Sequence, residues 1–312
     1  MKKSYSDYIS EINSKELLEG LIGHGLFAEK IPHFLTSKDF SVYINELKLP
    51  LEEIKAKDNI RYASMRNINV PRQMAIPEPF AYANLCSFIA ENWKRIQKYF
   101  EFESRHNKYK ISRIHLRKME NTATLFEMNY KNYEKDGAPQ DEILVKSRYI
   151  VEADISNFFP SVYSHSIPWV LKGKKFAKHH RDKNLWFNKL DYFIRNLKYG
   201  ETNGLLIGPH VSNLISEIIL IKIDSILNAK GYKYIRHIDD FTCYVPTYEI
   251  AEQFLIDLSE ELRNYELKLN DKKSKIIPLP QASVKNWVTK LNNYLFINTY
   301  KKTGKKGSEQ RN

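Results

Sequence analysis

The sequence predicts an α+β fold in which helices pack on a small antiparallel sheet. The first observation is a β-rich, mostly apolar run, RYIVEAD, at residues 148–154. The second is a pair of short strand patterns at 232–238 and 241–245, separated only by Asp239 and Asp240, which predicts a β-hairpin. With helical patterns between and after them, the order is strand, helices, hairpin, helix and strand. That order matches the split β-α-β arrangement of ferredoxin-like folds, β-α-β-β-α-β.

The N-terminal part of the chain gives weaker patterns. Residues 1–60 predict short helices, one of which is the apolar-periodic run from Ile9 to Leu18, ending near Gly20. Residues 61–80 carry three prolines and predict an extended segment, because each proline pushes the residue before it out of the α region. The helical region at the start of the chain therefore leads into an extended segment.

Helical periodicity is clearer in the rest of the chain. The patterns are helices at 80–100, 184–198, 211–229 and 248–265 and a final strand with a polar turn at 267–279. The helix at 211–229 has the strongest pattern, since Gly208-Pro209 opens it and Gly231 closes it. Residues 105–147 are mixed and highly charged, and they predict no defined order of elements.

Composition limits the function classes. The chain has 312 residues, enough for two domains or for one large domain with an appendage. It is 42% apolar and 13% aromatic, which excludes wholesale disorder. Lys and Arg number 49 against 37 Asp and Glu, a net charge of +12. This excess favours a polyanionic partner, nucleic acid before an anionic membrane, although charge alone does not distinguish it from a merely basic soluble protein.

Cysteine usage and hydropathy indicate the compartment. Cys86 and Cys243 are far apart in sequence, so neither a disulfide framework nor a cysteine zinc site is expected, and a reducing cytoplasm fits. The first ten residues, MKKSYSDYIS, lack the apolar region of a secretory signal. No stretch approaches the ~20 apolar residues of a membrane span. We therefore expect a cytoplasmic protein that does not bind membranes.

Acidic residues coincide with the end of the first strand and the hairpin tip. In the predicted topology Asp154 lies next to Asp239, with Asp240 as a third carboxylate. Packing such charges together is unfavourable unless cations neutralise them. Hard oxygen ligands favour Mg²⁺, and a pair of such ions clamps the attacking and leaving oxygens of a phosphoryl transfer. The alternative is an ordinary turn, where Asp pairs are common.

Four segments follow the order of reverse transcriptase motifs A, B, C and D. They are ADISNFFPSVYSHSIPW (153–169), TNGLLIGPHVSNLISEIIL (202–220), YIRHIDDF (234–241) and LNDKKSK (269–275). The chain thus resembles reverse transcriptases over about residues 60–280. It is similar above all to bacterial defence-associated and abortive-infection reverse transcriptases, the AbiK-like group. The phrase HSIPW and the form G-x-x-x-G-P-x-x-S favour that group over retroviral enzymes.

The resemblance implies a domain plan and an activity. The plan is a helical region with fingers at 1–147, a right-hand polymerase palm at 148–280, and a short helix with a basic tail at 281–312, so that the thumb is short or absent. The implied activity is RNA-directed DNA polymerisation with two Mg²⁺ ions, or Mn²⁺. The implied partners are an RNA template or noncoding RNA, the DNA product, dNTPs, and a homo-oligomer or partner protein.

The same resemblance implies roles for the acids and for one aromatic residue. Asp154 and Asp239 would be metal ligands and catalytic residues, with Asp240 beside them. Phe159, five residues after Asp154, would be the steric gate against a ribose 2′-OH, while Phe158 would pack in the core. Core packing is also the alternative for Phe159.

Four further residues take roles by resemblance. Gly208 and Ser212 would lie under the nascent base pair, with an ordinary helix start as the alternative. Lys273 would protonate the leaving pyrophosphate, or be a solvated turn lysine. Arg72 would bind the incoming triphosphate, because a guanidinium fork suits phosphate oxygens, and Arg66 is a weaker candidate for the same role.

One position departs from the family pattern. His237 stands two residues before the Asp pair, where the family usually has Tyr. We interpret it as a packing variant, and its effect on the template or primer end stays open. His165, His179 and His180 have no Cys pairing that would support a zinc site, and His165 is interpreted as a structural histidine.

A basic segment lies between motifs A and B. Residues 172–183, KGKKFAKHHRDK, predict a contact with the phosphate backbone, salt-dependent and without sequence preference. The alternative is a solvated charged loop. The predicted nucleic-acid contacts are Lys172, Lys174, Lys175, Lys178 and Arg181.

The sequence thus favours an RNA-directed DNA polymerase of bacterial antiphage defence, with untemplated or noncoding-RNA-templated synthesis as variants. A second hypothesis is a non-catalytic RNA-binding scaffold in a defence assembly. Clustered acids facing a phosphate backbone argue against it. A third is a palm-type nucleotidyltransferase that uses ribonucleotides, against which Phe159 speaks.

Overall fold

The computed structural model describes most of the chain in segments. The described residues are 4–27, 35–47, 55–65, 70–113, 117–118, 126–127 and 143–279. Met1–Ile277 forms one compact unit, and a second unit is Pro278–Asn312, of which only residues 278–279 are described. The predicted C-terminal helix and basic tail at 281–312, and Arg66, lie outside the described residues.

Three short helices begin the chain: α1 (Tyr5–Ser10), α2 (Ser14–His24) and α3 (Lys38–Leu47). The single helix predicted from Ile9 to Leu18 is wrong, because Asn13 starts a new helix. Its side chain accepts a hydrogen bond from the Glu16 N–H at 2.9 Å, and the Glu16 carboxylate accepts one from the Asn13 N–H at 3.1 Å. This reciprocal capping box separates α1 from α2.

The predicted extended segment forms an antiparallel pair, β1 (Ile60–Ser64) and β2 (Arg72–Ile76). The helix predicted at 80–100 is two helices, α4 (Pro79–Glu91) and α5 (Trp93–Ser104). They divide at Asn92, whose φ of −97° and ψ of 11° leave the helical region. Local backbone geometry at one residue is weakly signalled by apolar periodicity, and this explains the missed boundary.

A two-stranded pair, β3 (Arg117–Lys118) and β4 (Phe126–Glu127), comes next. Strand β5 (Tyr149–Asp154) follows, at the place the sequence predicts. Four helices then lead to the long central helix. They are α6 (Phe158–Ser161), α7 (Ser166–Lys172), α8 (Lys174–His179) and α9 (Trp186–Asn196), and the central helix is α10 (His210–Ala229).

The predicted hairpin is present as β6 (Lys233–His237) and β7 (Asp240–Val245), followed by α11 (Tyr248–Asn264) and β8 (Lys275–Pro278). The four-stranded sheet has the order β6-β7-β5-β8. The polar turn predicted within 267–279 lies at residues 270–274, where the N–H groups of Lys273 and Ser274 donate to the Asn270 carbonyl, and β8 follows it.

Residues outside the four strands continue the sheet at the β6 edge. The Arg236 N–H donates to the Ile111 carbonyl at 3.0 Å, and the Arg113 N–H donates to the Arg236 carbonyl at 2.8 Å. The backbone groups on that side of β6 are thus paired, which protects an otherwise open sheet edge.

The core lies between the sheet and the helices around α10. Fourteen of the twenty residues of α10 are buried, so apolar side chains surround this helix on several sides. Tyr234 and Phe241 of the hairpin and Phe254 of α11 form an aromatic group with ring centroids 5.8–5.9 Å apart. Each such buried side chain contributes roughly 1.5–3 kcal/mol. Among the described helices none is long and apolar enough to cross a membrane.

Candidate active site

The antiparallel ladder brings the acids of the first strand and the hairpin together. Asp154 is the last residue of β5 and pairs in register with Asp240, the first residue of β7. Asp239 lies in the turn just before Asp240, and its carbonyl accepts a hydrogen bond from the Ile155 N–H at 3.1 Å. Residues 85 positions apart in sequence therefore meet at one end of the sheet.

Two side chains of the turn before β8 hold the Asp154 carboxylate. Asn270 Nδ2 donates to Oδ1 at 2.8 Å, and Lys273 Nζ donates to Oδ2 at 2.7 Å. The Asn270 N–H also donates to the Asp154 carbonyl at 2.7 Å. Lys273 was predicted for this site from its motif, whereas the part played by Asn270 was missed. Its signal is its position at the start of the polar turn N-D-K-K-S.

The pKa values of the three carboxyl groups are shifted in different directions. Burial raises the pKa of Asp154, but hydrogen bonds from Lys273 and Asn270 outweigh burial, and the pKa lies below its ordinary value. Burial raises the pKa of Asp239, and the charge of Asp154 adds to the rise. Burial, repulsion by Asp239 and a hydrogen bond with Asp154 raise the pKa of Asp240 to about 6. Without a cation, a proton is favoured between Asp154 and Asp240.

Strain marks the carboxylate turn, residues 238–240, which carries Asp239 and Asp240. Ile238 has a φ of 53°, a left-handed conformation that is rare for a β-branched residue. Such a conformation costs about 1–3 kcal/mol, so the surroundings must hold it. One holding contact comes from Arg236, whose Nη1 donates to the Ile238 carbonyl at 3.0 Å.

Arg236 belongs to a buried ionic network that sequence reasoning missed. Its Nη1 donates to Glu217 at 2.8 Å and its Nη2 to Asp224 at 2.6 Å, both acids lying on α10. Tyr5 of α1 donates to Glu217 at 3.2 Å, and Tyr234 donates to Asp224 at 2.9 Å. A signal was present in the sequence: two acids seven residues apart, hence on one face of a strongly apolar helix.

Arg72 and the turn before α10 lie on the same side of the molecule as the acids. The positive charge of Arg72 counters the rise in the pKa of Asp239, so the two groups are within electrostatic reach. The Ala75 N–H of β2 donates to the Ile207 carbonyl at 2.9 Å, which ties β2 to the residue before Gly208. Gly208 has a φ of 131°, a conformation that favours glycine.

Ser212 and the two phenylalanines differ in exposure. Ser212 is 2% exposed, and its N–H donates to the Pro209 carbonyl at 3.1 Å, so it lies in the first turn of α10. Phe158 is 2% exposed and lies in the core. Phe159 is only partly buried, with its ring centroid 5.3 Å from that of Phe158. The surface of Phe159 that stays accessible is what a steric gate needs.

The basic segment is on the surface. The side chains of its predicted contact residues, Lys172, Lys174, Lys175, Lys178 and Arg181, are exposed. Lys174 also contacts Glu266, Nζ to Oε1 at 3.3 Å, and lies 4.2 Å from the Trp169 ring centroid. His165 has a polar partner, with its Nδ1 2.8 Å from Asp191 Oδ2, in agreement with a structural histidine.

The acids fit Mg²⁺ by their chemistry. Clustered carboxylates with raised pKa values are relieved by a cation, and oxygen ligands suit a hard ion. Among the described residues, however, no group of three or more His, Cys, Asp or Glu side chains is arranged to hold a metal ion.

A family model described as "Reverse transcriptase (RNA-dependent DNA polymerase)" matches residues 89–294. No curated protein sequence matches the chain. Similar solved structures include apo telomerase from Candida tropicalis, with 11% identity over 85% of this chain and 54% of that chain and a TM-score of 0.49.

Two more solved structures are similar at 11% identity. One is the same Candida tropicalis telomerase truncated from its C-terminal domain, which covers 83% of this chain and 59% of that chain with a TM-score of 0.44. The other is telomerase from Candida albicans in complex with the TWJ fragment of telomeric RNA. That match covers 75% of this chain and 43% of that chain, with a TM-score of 0.45. The chain spans about half the length of these structures.

Proposed function

Because the chain belongs to the reverse transcriptase (RNA-dependent DNA polymerase) family, we propose that it is an RNA-directed DNA polymerase that adds deoxynucleotides to a 3′-hydroxyl. The observation that carries the proposal is the meeting of Asp154 with Asp239 and Asp240 at one end of the sheet. Three carboxyl groups at a strained turn are unfavourable for a stable fold, and phosphoryl transfer gives them a use.

In this proposal Asp154, Asp239 and Asp240 hold Mg²⁺, and Mn²⁺ is a substitute. When bound, the two ions neutralise charge on the triphosphate and stabilise the attacking and leaving oxygens. Asn270 and Lys273 would orient the Asp154 carboxylate towards the ions.

The remaining side chains bind and orient the nucleotide. Arg72 binds the triphosphate with its guanidinium fork. Phe159 stands against the sugar and excludes a 2′-hydroxyl, while Gly208 and Ser212 leave room for the nascent base pair. Lys273 donates a proton from Nζ to the leaving pyrophosphate. A lysine ammonium is protonated at neutral pH, and the hydrogen bond to Asp154 raises the pKa of Lys273 further, so the proton is in place.

The sheet β6-β7-β5-β8 with its helices serves as the palm, within the domain limits 148–280, and residues 1–147 form the N-terminal helical region and the fingers. The biological role in this proposal is bacterial antiphage defence. The form of motif A with HSIPW and of motif B with G-x-x-x-G-P-x-x-S supports it. The template is RNA, either general or a dedicated noncoding RNA, and the basic segment at 172–183 contacts its phosphates.

The test measures incorporation of labelled dNTPs by the purified chain with Mg²⁺, with and without co-purifying RNA. Wild type is expected to incorporate label, and Asp239→Asn is expected to lose at least about a thousandfold in rate while it keeps RNA binding. Asp271→Asn, an exposed acid in the turn before β8, is the matched control.

Two results would contradict the proposal. One is no incorporation by wild type under any of these conditions. The other is an Asp239→Asn variant as active as wild type. RNA binding without any incorporation would instead support the scaffold hypothesis.

A further inference from the structure

A cavity of about 420 Å³ lies among α7, α8 and α9. Its volume is in the range of pockets that hold small ligands. No residue of the carboxylate turn lines it, and neither do Arg72, Phe159, Gly208 or Lys273. It is therefore separate in its residues from the candidate active site.

Aromatic rings form one part of the lining. Tyr163, Trp169 and Tyr192 all line the cavity. The Tyr163 and Trp169 rings contact each other edge to face with centroids 5.6 Å apart, which fixes their orientation. Tyr192 is 38% exposed, so its ring is available to a flat partner. Aromatic faces of this kind bind bases by stacking, at about 1–3 kcal/mol per base.

Cations form a second part of the lining. Lys178, Arg181, Lys183 and Arg195 all line the cavity, against a single carboxylate. Lys178 Nζ lies 5.6 Å from the Trp169 ring centroid, so positive charge and aromatic surface adjoin. Arginine and lysine beside an aromatic wall suit an anionic phosphate attached to a planar base.

The single carboxylate, Asp191, has a free acceptor. The residue is 4% exposed. Its Oδ2 is engaged, with His165 Nδ1 at 2.8 Å and Arg195 Nε at 3.4 Å. Its buried Oδ1 accepts no hydrogen bond from any residue within the described segments. A buried acceptor left without a donor costs about 1–3 kcal/mol, which a ligand that donates would recover.

We propose that this cavity binds a nucleoside phosphate, either a free nucleotide or one unit of a single strand. The base stacks on the aromatic rings, a base N–H or a sugar hydroxyl donates to Asp191 Oδ1, and the phosphate lies among the cations. An acidic peptide would satisfy the cations, but its Asp and Glu side chains carry no ring that could stack on the aromatic lining. The site does not depend on catalysis at the carboxylate turn.

The test titrates the full chain in EDTA with two probes, the four nucleoside 5′-monophosphates and a fluorescein-labelled single-stranded RNA pentamer. EDTA separates this site from metal-dependent triphosphate binding. Arg181→Glu should weaken binding at least about tenfold, the value of one hydrogen bond to a charged group. Arg263→Glu makes the same charge change at an exposed arginine of α11 outside the cavity, and it should leave affinity within about twofold.

Asp191→Asn separates the site from general electrostatic attraction. The variant removes a negative charge, so attraction of an anion to a basic surface would strengthen or stay the same. In the proposed site binding weakens about tenfold, because the Asn amide keeps its oxygen towards His165 and presents a donor where the ligand donates. Circular dichroism and the melting temperature establish that the variant is folded.

Each outcome of the titrations either supports or overturns the proposed nucleotide site. Saturable binding of a monophosphate that both cavity variants weaken supports a free nucleotide, and the same pattern with the pentamer alone supports a strand. Absence of binding by both probes, equal loss in Arg263→Glu, or tighter binding by Asp191→Asn would overturn the site. Since the assay contains no metal or primer, its failure leaves the polymerase proposal standing, and loss of polymerase activity leaves this site standing.

Discussion

Phe159 and Phe158 are adjacent, yet only one of them has accessible surface. Phe158 is 2% exposed, and Phe159 is partly buried at the edge of the same core. The sequence pattern F-F after a strand is compatible with two core residues, and the resemblance to motif A alone distinguished them. The difference in burial agrees with a packing role for Phe158.

The first prediction concerns the choice of sugar. Phe159→Ala should relax discrimination against ribonucleotides, because the ring no longer occupies the space of a 2′-hydroxyl. Competition between a dNTP and the matching rNTP measures the ratio of kcat/KM values. We expect a loss of about tenfold or more in that ratio. Phe158→Leu is the control, a core change that should leave the ratio unchanged. Equal discrimination by wild type and Phe159→Ala would remove Phe159 from this role.

The second prediction separates charge from proton donation at Lys273. Lys273→Met removes both and should slow incorporation about a hundredfold, the size of a typical general-acid effect. Lys273→Arg keeps the positive charge near Asp154 but releases a proton poorly, since a guanidinium stays protonated in proteins. We expect it to be nearly as slow as Lys273→Met in single-turnover assays. Full activity of Lys273→Arg would show that the ammonium only positions Asp154.

At the scale of single residues, the candidate site residues were easier to predict than the residues that hold them in place. Asp154, Asp239 and Lys273 follow from motif order, and the structure brings them together. Asn270 and Arg236 were missed because their roles depend on distant partners, Asp154 in one case and the acids of α10 in the other. A single sequence does not reveal such pairs unless the topology is already known.

Helix α10 and the hairpin are joined by the buried network around Arg236. The guanidinium contacts Glu217 and Asp224 and also the carbonyl of Ile238 in the carboxylate turn. The network therefore connects helix α10 with the turn in which Ile238 is left-handed. A change at Arg236 should affect both stability and the site.

The third prediction follows from this connection. Arg236→Met should lower the free energy of unfolding by about 3–5 kcal/mol, because it leaves two buried carboxylates without their cation. Chemical denaturation measures the change. Lys275→Met is the control, since its pair with Glu152 is largely exposed and is worth about 0–1 kcal/mol. A cost below about 1 kcal/mol for Arg236→Met would contradict the structural role of the network.

Element boundaries were predicted well where periodicity was strong and poorly where capping decided. Strand β5, helix α10 and the hairpin lie within two residues of their predicted limits. The helices around Asn13 and Asn92 were merged or misplaced, because a side-chain cap or one backbone angle interrupts an apolar pattern. The polar turn predicted within the final segment is present at 270–274, and β8 begins after it, at Lys275.

The N-terminal helices belong to the same packing unit as the sheet. Gly25 at the end of α2 approaches α10 so closely that a Cβ there would lie 2.8 Å from the His210 Cβ. The His210 N–H donates to the Gly25 carbonyl at 2.8 Å. His210 itself is 5% exposed, and burial lowers its pKa to about 4, with the His24 charge adding to the effect.

The fourth prediction is a pH dependence of global stability. The unfolded chain binds a proton at His210 near pH 6.5, while the folded chain binds it only near pH 4. The contribution of the neutral His210 to the unfolding free energy is therefore fully present above pH 6.5, and it is lost as the pH falls through 6.5 towards 4. Between pH 7.5 and 5 this histidine should account for about 2 kcal/mol of lost unfolding free energy.

Comparison with His210→Asn isolates that contribution. The variant lacks the titrating imidazole, so the fall in its unfolding free energy between pH 7.5 and 5 should be about 2 kcal/mol smaller than the fall in wild type. Urea denaturation at the two pH values measures both proteins. Parallel pH profiles for wild type and variant would show that His210 titrates normally in the folded state.

The order of strands along the chain was enough to predict which strands lie side by side. Short connections and the hairpin leave few arrangements for one strand before and one after it. The docking of α1 through Tyr5 onto Glu217 could not be predicted, because nothing local at Tyr5 marks a partner 212 positions away. The same holds for the cavity among α7, α8 and α9, whose lining combines residues of the HSIPW phrase, the basic segment and the helix predicted at 184–198.

The grip of Asn270 and Lys273 on Asp154 also bears on biosynthesis. These partners are 116 and 119 positions later in the chain. At roughly 5–20 residues per second, a ribosome adds them about 6 to 24 seconds after Asp154. During that interval the nascent polypeptide already carries Asp154, the first of the three acids of the candidate active site, but not the side chains that orient it. Translation products that stop before this turn therefore lack an assembled centre.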